Sequence, residues 1–254
     1  MELRRFQKFA LSILPLIFLG LMFSTHSARA TEKIRVMAEL APPFLNADGS
    51  GYSIALLREI EQEVGMEFTV QVVSSFERAW RYVASGDADI VLHIAQGKEG
   101  IEFYNNMLES SWYFPVHPTI YFKDVAKRDL FLKATKEPVD ELLRIGLPMG
   151  NVHYGVSSLG LPSGTFLQAP MDSLVLQLDK DRIDIIWCMK LTVDRALRKH
   201  NIQGVSSMRY PVGATIHLGA GYRATSGGRK LQQKLDTAIS KLNLEEMFPN
   251  IYQK

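Results

Sequence analysis

The chain has 254 residues, 29 of them Lys or Arg and 27 Asp or Glu, for a formal charge of +2. That balance gives no basic surface of the kind a nucleic-acid partner needs. The single cysteine, Cys188, excludes an internal disulfide and reads as a small apolar residue in a buried strand.

The first thirty residues read as an export leader, outside the fold. Arg4, Arg5 and Lys8 form a basic start, Phe9 to Phe23 are almost wholly apolar, and Ala28-Arg29-Ala30 supplies a cleavage site. A membrane anchor would need a longer run than this one, which Pro15 and Gly20 interrupt. The leader holds four bases and one acid (Glu2), so the remainder carries one more acid than bases. With Thr31 and not a cysteine directly after the cleavage site, which excludes a lipoprotein anchor, and with no second apolar span, the expectation is a soluble periplasmic protein.

After the leader, Ile34 to Ala38 reads as a strand, followed by a loop with Glu39, Pro42, Pro43 and Phe44. A helix from Ser53 places Ile54, Leu57, Ile60 and Val64 on one face, and Gly65 stops it. Phe68 to Val73 is a second strand. Ser74 and Glu77 are spaced as a capping box for a helix with Phe76, Ala79, Trp80 and Val83 on its apolar face. Gly86 closes that helix, and Asp89 to Leu92 is a third strand. A β-α-β-α-β order requires right-handed crossovers and a largely parallel sheet, with ligands at the carboxyl ends of its strands. Glu39, Phe76 and His93 then fall at one sheet edge, and the loop after His93 adds Gln96 and Lys98. The competing readings are a solvated loop acid for Glu39, a core residue for Phe76, a satisfied loop histidine for His93 and a surface cation for Lys98.

The aromatic segment Trp112 to Pro115 reads as packing and leads to an extended Thr119 to Lys123. The polar run from Lys123 to Pro138 reads as a change of domain. A second series follows: strands at Arg144 to Leu147, Thr165 to Gln168 and Ile183 to Trp187, with helices from Asp172 to Leu178 and Thr192 to Leu197. Gly150 and Asn151 sit where backbone N–H groups at a helix start can hold an anion, with ordinary turn chemistry as the alternative. The passages Val83 to Val91 and Leu178 to Ile186 echo each other as helix end, polar turn, aspartate and strand, which suggests two lobes of similar construction. Thr215 to Tyr222 is strand-like, a helix carries Leu231, Leu235, Ile239 and Leu242, and Asn243 caps a short last helix.

This order resembles the periplasmic solute-binding proteins of the amino-acid-binding type, the bacterial extracellular family 3-like proteins with the type II periplasmic binding fold. The matching residues are Pro43-Phe44, Asp48-Gly49 and Gly51, then Phe76, Ser85 to Asp89, Gly150-Asn151 and the turn before Asp184. The resemblance implies an α/β protein of two lobes, each a mainly parallel sheet flanked by helices, with a ligand cleft between them. Lobe 1 would be residues 31–121 plus 214–254, and lobe 2 residues 122–213. It implies a monomeric, non-enzymatic protein that closes over a small polar solute for an ABC-type transporter permease, without cofactor or metal. The candidate ligand contacts are Glu39, Phe76, His93, Gln96, Lys98, Gly150 and Asn151.

Two departures bear on the ligand. The family's loop after the third strand ends in an arginine that holds a carboxylate, and here the region carries His93, Gln96 and Lys98. The family's aspartate for the ligand amine falls at about Met189. Two alternatives stay open: a periplasmic dehydratase or isomerase using Glu39 and His93 as its acid/base pair, and a ligand-sensing subunit. No zinc cluster, P-loop, nucleophile elbow or dinucleotide fingerprint is present in the sequence.

Overall fold

The computed structural model describes residues 32–96, 106–211 and 214–252. The leader, and Lys98 with it, lie outside the described residues.

The first sheet is built from β1 (Glu32–Glu39), β2 (Met66–Val73), β3 (Ile90–Ala95), β4 (Met107–Glu109), β5 (Phe114–Val116) and β11 (Ile216–Arg223). Its order is β2-β1-β3-β11-β4, with β5 also paired to β11. β1 and β3 run parallel, whereas β11 is antiparallel to β3, β4 and β5. Helix α1 (Tyr52–Val64) turns Leu56, Leu57, Ile60 and Val64 onto one face of the sheet and ends at Gly65, whose φ of 60° suits a residue without Cβ. Helix α7 (Ser226–Ile239) covers the same face with Leu235, Ala238 and Ile239. Helix α2 (Phe76–Ser85) covers the other with Ala79, Trp80 and Val83. Its cap is Ser75, which accepts the Arg78 N–H, so the cap lies one residue beyond the Ser74 of the sequence pattern.

The second sheet has the order β10-β6-β9-β7-β8. Its strands are β6 (Pro118–Phe122), β7 (Ile145–Leu147), β8 (Phe166–Gln168), β9 (Ile185–Met189) and β10 (Ser206–Arg209). β8, β7 and β9 are parallel, β6 is antiparallel to β9, and β10 is antiparallel to β6. Each sheet therefore keeps a parallel core and adds antiparallel strands on one side. Around it lie α3 (Val125–Ala134), α4 (Val152–Leu159), α5 (Met171–Asp179) and α6 (Lys190–Lys199). Short helices α8 (Leu244–Met247), capped by Asn243 as its sequence suggests, and α9 (Pro249–Tyr252) end the described chain.

Two features differ from the sequence reading. β6 belongs to the second sheet, so the chain passes between sheets at His117, before the expected boundary at Tyr121. Helix α3 occupies part of the polar run, Lys123 to Pro138, that reads in the sequence as a change of domain. Asp124 caps it by accepting the Ala126 N–H at 2.8 Å, but it buries only Phe131, so its sequence lacks an apolar stripe.

The echo between the halves is structural. Asp89, ahead of β3, accepts the Arg35 backbone N–H at 2.8 Å and its Nε at 3.3 Å, while Arg35 Nη2 donates to Gly86 O. Asp184, ahead of β9, accepts the Arg144 N–H at 2.8 Å and its Nε at 3.1 Å, while Arg144 Nη2 donates to Asp181 O. In both lobes the aspartate before the last parallel strand fastens an arginine of the first, Arg35 within β1 and Arg144 directly ahead of β7. Burial alone would raise the Asp184 carboxyl, but the Arg144 hydrogen bonds hold it below its usual range.

Candidate functional site: a cleft between the two sheets

The carboxyl ends of β1, β2 and β3 face those of β7 and β9 across a cleft of about 750 Å³, within the range of small-molecule sites. Of the residues picked out in the sequence, Glu39, Phe76, His93, Gly150 and Asn151 line it. Gln96 does not. Its amide donates to Ser110 O at 2.7 Å and Trp112 O at 3.2 Å, which ties β3 to the segment ahead of β5.

His93 reaches the cleft through a bulge. β11 pairs Gly219 with Ile94 and Ala220 with Leu92, so His93 has no partner in the ladder, and its φ is +66°. A bulge re-aims one side chain and resets the alternation of faces. Leu92 and Ala95 accordingly join the α1 and α7 side of the core, whereas Val91 and Ile94 join the α2 side. Histidine tolerates this left-handed backbone better than most residues. Nε2 lies 2.9 Å from Ser53 Oγ, and Nδ1 is buried without a hydrogen-bond partner among the described residues. Burial pushes the imidazole down to about 4, so it is neutral at physiological pH.

Glu39 closes β1, and its Oε2 accepts the Phe76 N–H at the start of α2 at 3.1 Å. Burial raises this carboxyl to about 7, against the lowering effect of that hydrogen bond. Glu39 faces Cys188 from the opposite sheet. The thiol is pushed up to about 12, chiefly by burial and further by the Glu39 charge. Cys188 is half-buried at the cleft end of β9 and so lines the cleft, where the sequence suggested a core strand residue.

The remaining walls are mostly apolar: Val116, Leu147, Tyr154, Trp187, Met189 and Leu218 all line them. The rings of Tyr154 and Trp187 stack at 5.4 Å with 13° between planes. Tyr154 packs against the cores of both lobes. Sequence reasoning missed this pair. The available signal was position, since Trp187 lies near the carboxyl end of a strand and Tyr154 in the first turn of the helix that follows Asn151. Met189 lines the cleft as a thioether, with no charge to offer.

Gly150 is where the lobes meet. Its φ is +82°, and a Cβ placed there would lie 2.9 Å from Ser75 Cβ of the other lobe. Gly150→Val adds branched bulk at a backbone angle L residues avoid. It is expected to hold the lobes apart, raising the radius of gyration in X-ray scattering and weakening ligand binding about tenfold. Unchanged scattering and affinity would show that this contact does not control closure.

No family model matches the sequence, and no curated protein matches it. Solved structures do. A histidine kinase sensor domain with similarity to periplasmic binding proteins aligns over 88% of this chain and 96% of its own, at 16% identity and a TM-score of 0.67. EhuB in complex with hydroxyectoine aligns over 86% of each chain, at 21% identity and a TM-score of 0.69. A Streptococcus pneumoniae substrate-binding protein of an ABC uptake transporter, with bound histidine, covers 87% of this chain and 91% of its own, at 16% identity and a TM-score of 0.65. Likenesses at these identities establish architecture: the chain has the two-lobed α/β fold of the type II periplasmic binding proteins.

Proposed function

We propose that the protein is a solute-binding protein that captures a small organic molecule by closing its two lobes and presents it to an inner-membrane transporter permease. By sheet membership its lobes are residues 32–117 with 214–252, and residues 118–211. The observation that carries this reading is the cleft walled by both sheets, with Gly150 of one lobe against Ser75 of the other. A ligand that touches both walls favours the closed arrangement by its differential affinity for it. Residues 1–30 supply the export leader of this reading, which places the mature protein in the periplasm as a monomer. No helix among the described residues is long and apolar enough to cross a membrane.

An acid/base role for Glu39 and His93 is less well supported. Each makes its hydrogen bond elsewhere, to the Phe76 N–H and to Ser53, and no bond joins the two among the described residues. A sensory role draws support from the likeness to a kinase sensor domain. It would use the same closure with a different membrane partner.

The test is a thermal-shift screen of the chain from Thr31 against pooled metabolites, followed by X-ray scattering of each hit. A binding protein gains stability by mass action and contracts on binding. Pools that leave the melting temperature unmoved, or turnover of a bound compound detected by mass spectrometry, would overturn the proposal.

A further inference from the structure

Resting on the solute-binding reading, we propose that the cleft selects an organic amine, bound as its ammonium ion, that has an apolar body and carries no carboxylate. Acidic and basic groups are distributed unevenly in the cleft. Glu39 is the acid at its inner end. Among the described residues it has no ion-pair partner, and its one hydrogen bond is the Phe76 N–H to Oε2. The cleft it lines is also walled by Phe76, Val116, Leu147, Trp187 and Met189.

The basic residues on the cleft wall are elsewhere. Arg195 and Lys199 are both on the exposed side of α6, and Lys199 is ion-paired with Asp172. His93 is neutral and already contacts Ser53. Among the described residues, then, the cleft offers an anion to a buried ligand cation and no buried cation to a ligand anion.

The energetic consequence is asymmetric. An ammonium group leaving water is compensated by a hydrogen-bonded carboxylate in a site of low polarity. An amino acid would gain the same contact but has to place its own carboxylate where no buried cation stands among the described residues, and a buried unpaired charge is costly. The pocket should therefore reject the amino acid built on the same body, as a site that leaves a polar group unpaired does. The carboxyl's raised proton affinity agrees with this placement, because it marks a charge that lacks a partner.

Three probes of matched shape separate the possibilities: tryptamine, L-tryptophan and indole-3-propionate, titrated calorimetrically at pH 8 into the chain from Thr31. The expected order is tryptamine strongest, with tryptophan and indole-3-propionate each at least about 100-fold weaker. Glu39→Gln should abolish tryptamine's preference over indole-3-propionate, and circular dichroism would establish that the variant is folded. Tighter binding of tryptophan or indole-3-propionate would overturn the amine assignment and leave the solute-binding reading intact. Failure of all three to bind would overturn the amine assignment too, while the metabolite screen decides the solute-binding reading separately. An unchanged amine preference in folded Glu39→Gln would remove Glu39 from the recognition.

Discussion

Glu39→Gln is expected to stabilise the ligand-free protein at pH 8 by up to about 3 kcal/mol, and to leave it unchanged below pH 4.5. The carboxyl titrates at about 7 in the folded chain against 4.5 for an ordinary glutamate. Between those values the folded state holds the extra proton, so stability falls as pH rises. Each pKa unit is worth about 1.4 kcal/mol. His93 acts in the opposite sense. Its imidazole sits at about 4 when folded against 6.5 unperturbed, so the unfolded chain binds the extra proton and stability falls as pH drops through that window. In the wild type the two slopes oppose each other between pH 4.5 and 6.5. Of these two slopes the variant keeps only the histidine's, so between pH 4.5 and 6.5 its stability should rise with pH more steeply than that of the wild type. Urea unfolding at half-unit pH steps measures both curves. Parallel curves for the two proteins would mean that Glu39 is not desolvated in the folded state.

Asp184→Ala is expected to cost about 3 kcal/mol and Asp89→Ala about 1 kcal/mol, although the two aspartates make the same set of bonds. The difference is burial. The Asp184 side chain is 5% exposed and that of Asp89 32% exposed. Removing either strands an arginine backbone N–H, but around Asp89 water can replace the lost acceptor. Both arginines keep much of their surface in solvent, which holds the larger cost below that of a fully buried pair. Denaturant midpoints compare the two variants directly. Equal losses would show that solvent access at Asp89 does not soften the break.

The parallel halves of both sheets were legible because their helices carry clear apolar stripes and glycine stops, as α1 and α2 do. Helix α3 was not, since one buried Phe131 leaves no period to detect. The repeated aspartate was visible as a pattern, but its partner was not. Arg35 and Arg144 lie 54 and 40 residues from Asp89 and Asp184, and nothing local links them. At the site, position after a strand picked out Glu39, Phe76 and His93, all of which line the cleft. The same reasoning misplaced Gln96, because a loop position does not reveal which way an amide points. The bulge at His93 has no signature in its residues, since it arises from the register of a strand more than a hundred residues away. The apolar lining was hidden for a related reason. Trp187 and Met189 look like core residues until the opposite lobe is set against them.

Strand β11 lies between β3 and the short β4 and β5, which have no other sheet partner among the described residues. All five strands of the second sheet are complete by Arg209, before β11 begins at Ile216. A nascent chain growing from its amino end therefore has everything needed to assemble its second lobe while the first still lacks the strand that joins its parts. The half made first finishes last. Until Arg223 is free, β3 keeps an open edge and the aromatic cluster around Phe114 lacks its backing strand, so the amino-terminal half stays pliable through most of synthesis.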